Sequence, residues 1–192
     1  AVQFFRLQLK TAPATAARDY LQGRGLPEAV WDRFDIGFAP DAWQAMWDHL
    51  RGKGIDESLI FDCGLAKPST KGGKPYDTFR NRIIFPIRDP RGRAIGFGGR
   101  AMDPNDNAKY LNSPETRIFH KGHELYGFYQ AKQAHRNLTR VMIVEGYMDV
   151  VALGQFGIDY AVASLGTATT AEHIQMLFRA TSEVVCCYDG DR

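Results

Sequence analysis

Cysteine is scarce in this sequence. There are three in 192 residues, Cys63, Cys186 and Cys187, and no CxxC pair. That excludes a disulfide framework and a cysteine-based zinc site. No run approaches the roughly 20 apolar residues that a membrane span needs. The first residues also lack the basic-then-apolar order of a secretory signal. A reducing, cytoplasmic setting with no membrane partner is therefore expected, and adjacent Cys186 and Cys187 are expected to pack in the interior. GxxxxGK[ST] is absent, which argues against a P-loop nucleotide triphosphatase, and without GxGxxG a dinucleotide fold has no support. His120 and His123 have no acid or cysteine at ligand spacing and are not expected to bind metal.

What is present describes a soluble globular chain. Apolar residues make up 44% and charged residues 24%, enough for one large domain or two small ones. The net charge of +2 is unevenly spread. Residues 1–66 hold 7 basic and 9 acidic side chains (−2), residues 67–121 hold 12 and 5 (+7), and residues 122–192 hold 5 and 8 (−3). A basic middle beside acidic ends suggests a polyanion held next to the chemistry.

The first third reads as short helices. Thr11-Ala-Pro13 starts one that runs over 14–22 until Gly23 and Gly25 stop it. Pro27 opens a second over 28–34, with Val30, Trp31 and Phe34 on one face. Asp41 is expected to cap a third over 42–50, and Asp56 a fourth up to Phe61. Arg24, in the Gly-Arg-Gly loop, is the early residue of functional interest. Residues 67–75 are a polar Gly/Pro-rich loop. Two strand-like runs, 82–87 and 93–98, flank Asp89-Pro-Arg-Gly92 and make a β-hairpin. Its arginines, Arg80, Arg82, Arg88, Arg91 and Arg93, alternate along it; a solvated outer face is the plain alternative to a ligand-binding one, and it is preferred for Arg91 at the turn tip. Arg100 differs: it follows Gly96-Phe-Gly-Gly99, where absent side chains would let a large ligand reach the backbone. Residues 109–116 show little helical or strand period. Their Lys, Tyr, Asn, Ser and Thr suit phosphates, sugars and base faces.

The last third alternates: a helix near 125–134, strand 141–144, a helix over 147–156, strand 160–163, a helix over 171–178 capped by Thr169-Thr170, and strand 184–188. This βαβαβ order implies a doubly wound parallel sheet, hence an α/β fold behind a mixed α+β first part. Two of its strands end in acid: Val141–Val144 runs into Glu145-Gly146, and Val184–Tyr188 into Asp189-Gly190-Asp191. Ligands of parallel sheets sit beyond the carboxyl ends of the strands. Glu145, Asp189 and Asp191 then share one edge, with Asp149 in the first turn of the next helix and the Ser164–Thr167 turn beside them. Clustered carboxylates need a neutralising cation, so the expected ligand is Mg²⁺ or Mn²⁺.

The glutamate after one strand and the DxD after a later one resemble the Toprim domain of primases, topoisomerases and some nucleases. Together with Lys109-Tyr-Leu-Asn-Ser-Pro-Glu-Thr116, Phe119-His-Lys-Gly122, Leu125-Tyr-Gly127 and Glu145-Gly-Tyr-Met-Asp149, they resemble bacterial replicative primases of the DnaG type over essentially the whole chain. The resemblance implies a mixed N-terminal subdomain over 1–121 and a Toprim domain over 122–192 that is incomplete at its C-terminus, so the chain is expected to be a fragment of doubtful activity alone. It further implies template-directed RNA primer synthesis on single-stranded DNA, by two-metal nucleotidyl transfer, for replication. Glu145, Asp189 and Asp191 would be the catalytic metal ligands, supported by Asp149. Arg100, Lys109, Tyr110 and Lys121 would bind nucleotide phosphates or nucleic acid, joined by Arg24, Arg82 and Asn112. The implied partners are the template and ribonucleoside triphosphates, (p)ppGpp as an inhibitor, and the replicative helicase and single-strand-binding protein of the primosome through regions outside this chain. No zinc is expected here.

Two other functions use the same features. A Toprim nuclease or topoisomerase shares the acids, but a topoisomerase also needs a nucleophilic tyrosine, and nothing beside Tyr110 or Tyr126 marks one. A non-catalytic nucleic-acid-binding module would leave the carboxylates merely facing solvent.

Overall fold

A computed structural model describes residues 1–190 of the chain. The chain divides into two compact units, Ala1–Pro86 with Gly96–Phe119, and Ile87–Ile95 with the residues from His120 onward. The tip of one hairpin thus belongs to the second unit. No helix among the described residues is long and apolar enough to cross a membrane.

The first unit opens with α1 (Val2–Leu9), a 3₁₀ turn (Ala12–Ala14), α2 (Thr15–Gly23) and α3 (Glu28–Arg33). Helix α1 is an addition to the elements read from sequence; it buries Phe4, Phe5 and Leu9. Then follow β1 (Gly37–Ala39), α4 (Ala45–Gly52), α5 (Glu57–Asp62), β2 (Ala66–Lys67), β3 (Tyr76–Asp77), β4 (Arg82–Arg88), β5 (Ala94–Ala101) and β6 (Tyr110–Asn112). Strands β1, β4, β5 and β6 form one sheet in that order, and β2 pairs with β3 across the polar loop. Phe5, Trp47, Ile60, Phe79, Ile84 and Phe97 belong to the core of this unit.

Three expectations change here. Asp41 does not cap α4, which begins three residues later with Gln44 at its N-cap and no side-chain cap bond of its own. The acceptor comes from β3 instead: Asp77 takes the amides of Met46 (2.8 Å) and Trp47 (2.9 Å). Residues 110–112 are a strand, antiparallel to β5 with Arg100 opposite Tyr110 and Gly98 opposite Asn112. Three residues on an edge are too few for a period to show. Arg82 is buried rather than solvated. Its guanidinium binds the carbonyls of Gly99 (3.2 Å) and Ala108 (2.8 Å) and the Asp106 carboxylate (2.8 Å).

The glycine run of β5 also has an internal cause. A Cβ on Gly96 would lie 3.1 Å from the Phe119 ring, and one on Gly99 2.9 Å from Phe79 and 3.0 Å from Arg82 Cδ. Gly96 and Gly99 thus make room for the protein's own side chains, which accounts for both without a ligand.

The second unit contains α6 (Phe128–Ala134), β7 (Val141–Val144), α7 (Tyr147–Gln155), β8 (Ala161–Ala163), α8 (Ala171–Phe178) and β9 (Val184–Cys186). The sheet order is β8-β7-β9, and both pairings are parallel. One crossover steps to one side of β7 and the next to the other, so right-handed connections place α7 and α8 on opposite faces. This is the doubly wound arrangement expected. Val141, Ile143, Val162, Leu125, Phe128 and Leu177 form the core of this unit.

Helix α6 starts three residues late because Tyr126 is taken up elsewhere. Its N–H and C=O bond the backbone of Ala163 at 2.9 and 3.0 Å. Gly127 then turns the chain into α6 at φ 83°. A Cβ there would stand 2.7 Å from Val150 Cγ1 and 2.9 Å from the Ala161 oxygen. Gly127→Ala is therefore expected to lower stability by about 2–3 kcal/mol, from left-handed strain plus the clash. A urea titration checks this; an unchanged midpoint would contradict it.

Cys186 and Cys187 are exposed, not interior. Strand β9 pairs only with β7 among the described strands, so a fully apolar run does not imply burial on both sides.

Candidate active site

In the second unit, β7 is the central strand and β9 its neighbour. A 2-1-3 strand order puts the ligand crevice at the carboxyl ends of these two strands, where successive connections leave in opposite directions. Glu145 follows β7 there and Asp189 lies three residues beyond β9. The Asp189 N–H donates to Glu145 Oε1 at 3.1 Å, which brings the two acidic segments together. Both side chains are exposed. Beside Glu145 is a hollow of about 360 Å³, lined also by Ser164, Gly166, Thr167, Ala168, Thr169 and Tyr188. The turn after β8 thus forms one wall. Ser164 Oγ donates to the Thr167 carbonyl (2.8 Å), and Thr169 Oγ1 shares a hydrogen bond with the Tyr188 hydroxyl (2.7 Å). Thr169 and Tyr188 escaped the sequence reading because only the fold brings them beside Glu145.

Asp149 sits at the third position of α7, and its Oδ2 accepts the Gly146 amide at 3.1 Å. This is the return half of a capping box, since Gly146 has no side chain to supply the other bond, and it ties down the turn that presents Glu145. Asp191 lies outside the described residues. Among the described residues no three acids, histidines or cysteines already form a metal-sized cluster. The donor chemistry nonetheless suits a hard divalent cation: exposed carboxylates follow two adjacent strand ends, and Glu145 lines a hollow to which Ser164, Thr167, Thr169 and Tyr188 bring hydroxyls. Glu145 and Asp189 are the residues that would hold it.

Of the expected nucleotide- or nucleic-acid-binding residues, Arg24, Arg82, Arg100, Lys109, Tyr110 and Asn112 lie in the first unit. Arg100 lies over the Tyr20 ring, its guanidinium carbon 3.9 Å from the ring centre. Its Nη1 donates to the Ala101 carbonyl (2.8 Å), while its Nε is buried without a hydrogen-bond partner among the described residues. Arg100, Tyr20 and Lys109 line a second hollow of about 430 Å³, with Met102 and Asp106. Lys109 Nζ stands 6.0 Å from the centre of the Tyr110 ring. Burial pushes the Tyr110 hydroxyl up from its usual range, as does neighbouring Tyr20, against the pull of Arg100 and Arg24. Arg24 is exposed at the C-cap of α2, and Asn112 sits on β6 opposite Gly98. Arg82 is apart from these: it ties Ala108 and Asp106 from inside. Tyr20 gave no sequence signal, being 80 residues from the arginine it supports.

Lys121 lies in the second unit, its carbonyl bonded to the ring of His173 at 3.0 Å. The chain matches the family model described as the DNA primase catalytic core, N-terminal domain, over residues 4–132, and that of the Toprim domain over 139–192. The first match alone covers more than half of the chain.

The chain belongs to the DNA primase catalytic-core family. It is 56% identical to the DNA primase of Escherichia coli K12 over 189 residues, which is 98% of this chain and 32% of that protein. The solved E. coli primase catalytic core superposes with a TM-score of 0.93 at 55% identity, covering 100% of this chain and 60% of that one. A DnaG primase catalytic domain bound to single-stranded DNA gives 0.90 at 54% identity, covering 100% and 59%. The chain thus spans about a third of the length of the full primases it matches. Within that span the Toprim match includes Glu145, Asp149 and Asp189, and the N-terminal match includes Arg24, Arg82, Arg100, Lys109, Tyr110, Asn112 and Lys121.

Proposed function

We propose that this chain is the part of a DNA primase that carries the first acids of its polymerase site, and that the protein makes short RNA primers on single-stranded DNA in the cytoplasm. The observation that carries this reading is the junction of Glu145 and Asp189 on one sheet edge, in a chain that aligns throughout with primase catalytic cores.

In the reaction, the 3′-oxygen of one ribonucleotide bonds to the α-phosphorus of the next triphosphate. The bond to the β-phosphate breaks, pyrophosphate leaves and the hydroxyl proton is lost. Glu145 and Asp189, with Asp191, would hold a divalent cation, Mg²⁺ or Mn²⁺, which when bound would supply Lewis-acid stabilisation of the phosphate charge. Asp149 keeps the Glu145 turn in shape through the Gly146 amide. Arg100, Lys109 and Lys121 neutralise the triphosphate, and Tyr20 keeps the Arg100 plane fixed from one side. Tyr110, Asn112 and Arg24 contact template or nucleotide. Arg82 acts from within by holding Ala108, next to Lys109, rather than by touching nucleic acid. The same phosphate-binding cations suit (p)ppGpp as a competing ligand.

Ribonucleotide incorporation on a single-stranded template, by the full-length protein, tests the reading. Labelled primers are expected with Mg²⁺ or Mn²⁺, and none after chelation with EDTA. Cleavage of the template without incorporation would instead favour a Toprim nuclease.

A further inference from the structure

We propose that His173 is a positioning residue for Lys121, acting as a neutral spacer between helix α8 and the loop that carries this cation. The inference rests on the proposed role of Lys121 at the phosphates of the nucleotide.

His173 is wholly buried at the third position of α8. Its Nδ1 accepts the backbone N–H of Thr170 at 3.1 Å, taking the place that Glu or Gln holds in a usual capping box. An amide can only donate, so Nδ1 carries no proton. The ring proton is then on Nε2, which faces the Lys121 carbonyl at 3.0 Å, a group that can only accept. Both partners are backbone groups, and together they fix one neutral tautomer. Burial also pushes the imidazole below its usual range, against the hydrogen bonds that would raise it.

Capping α8 uses only one of these nitrogens. The other goes to a residue 52 positions away in the chain. A second tie runs in parallel. Thr170 Oγ1 accepts the His173 N–H (3.1 Å) and donates to the Gly122 carbonyl (2.7 Å). Two successive carbonyls, those of Lys121 and Gly122, are thus anchored to one helix start. The residue before that start is Thr169, which lines the hollow beside Glu145. The Lys121 backbone is thus tied to the helix start that directly follows the Thr169 wall of the acidic hollow, and a shift at either tie would move the cation relative to that wall.

Steady-state primer synthesis by the full-length protein tests this with two substitutions. The Asn oxygen of His173→Asn replaces Nδ1 and keeps the cap, but nothing reaches Lys121. The Gln amide of His173→Gln reaches the Nε2 position. His173→Asn is expected to raise KM for ribonucleoside triphosphates about five- to tenfold with kcat within about twofold, the size of one lost positioning bond. His173→Gln is expected to restore KM to within about twofold of wild type. In a Lys121→Ala background the Asn substitution should add nothing further to KM. An unchanged KM in His173→Asn, even with a lowered melting temperature, would overturn the inference and leave a purely architectural histidine. So would an equal rise in the Lys121→Ala background. If Lys121→Ala alone leaves KM unchanged while primers are still made, the phosphate role of Lys121 fails and the inference with it, but the polymerase reading stands. If no primers form in any variant or in wild type, that reading itself is at fault. Should His173→Asn not fold, Thr170→Val reports the companion tie to Gly122. There the same rise in KM supports the inference and an unchanged KM overturns it.

Discussion

Glu145→Gln in the full-length protein is expected to lower primer synthesis by about 10³-fold, with template binding retained. The substitution keeps shape and an oxygen that can accept the Asp189 N–H, so the strand-end junction survives. It removes the charge that, in the proposed reading, would neutralise a divalent ion. Lewis-acid stabilisation of phosphate charge contributes several kcal/mol, and each tenfold in rate is about 1.4 kcal/mol. Glu145 is exposed, so unfolding stability should stay within about 0.5 kcal/mol of wild type. Fluorescence anisotropy with a single-stranded template and a denaturant titration check the two controls. Synthesis within about tenfold of wild type would remove Glu145 from the proposed chemistry. An equal collapse of folding would make it a structural residue instead.

Asp77→Ala is expected to be among the most damaging substitutions to the first unit, costing about 2–4 kcal/mol near pH 5. The site is 2% exposed, and the substitution leaves the Met46 and Trp47 amides at the start of α4 without an acceptor. The pH dependence has an unusual sign. Burial raises the Asp77 carboxyl to about 6, against the opposing pull of the two amides and Arg80. Because the folded value lies above the usual 3.8, its contribution to stability is complete below pH about 4 and declines as pH rises through about 6. Asp77→Asn does not titrate. Its stability relative to wild type is therefore expected to improve by about 3 kcal/mol between pH 4 and pH 7.5, at about 1.4 kcal/mol per unit. Denaturant titrations at the two pH values measure this. A gap that widened in favour of wild type as pH rose would contradict the assignment.

The same carboxylate shows where the sequence stops being informative. Asp41 stands one residue after a proline and just ahead of an apolar-periodic stretch, so local chemistry favours it as the cap of α4. The acceptor used lies on β3, more than 30 residues on, and only the β2–β3 pairing brings it there. Arg82 is similar: in a run of alternating arginines its burial depends on Asp106, which no local pattern connects to it. By contrast β7 and α8 match their expected bounds residue for residue, because apolar runs ending at Glu145-Gly146 and a Thr cap at Thr170 are signals within one turn of the element. The junction of Glu145 with Asp189 was legible for a further reason. Once two runs are parallel strands of one sheet, topology alone puts their carboxyl ends together. Cys186 and Cys187 fell on the wrong side of the same inference, since an apolar strand reads as buried whether it is central or at an edge.

The most direct test of the central claim, that Glu145 and Asp189 jointly hold a divalent ion, is the anomalous signal of Mn²⁺ in crystals of the protein. A peak bound directly by both carboxylates, at distances between the roughly 2.0–2.1 Å of Mg²⁺ and the roughly 2.3–2.6 Å of Ca²⁺ to oxygen, is the expected result. Mn²⁺ bound only elsewhere, with both carboxylates well ordered and turned away from each other, would contradict it.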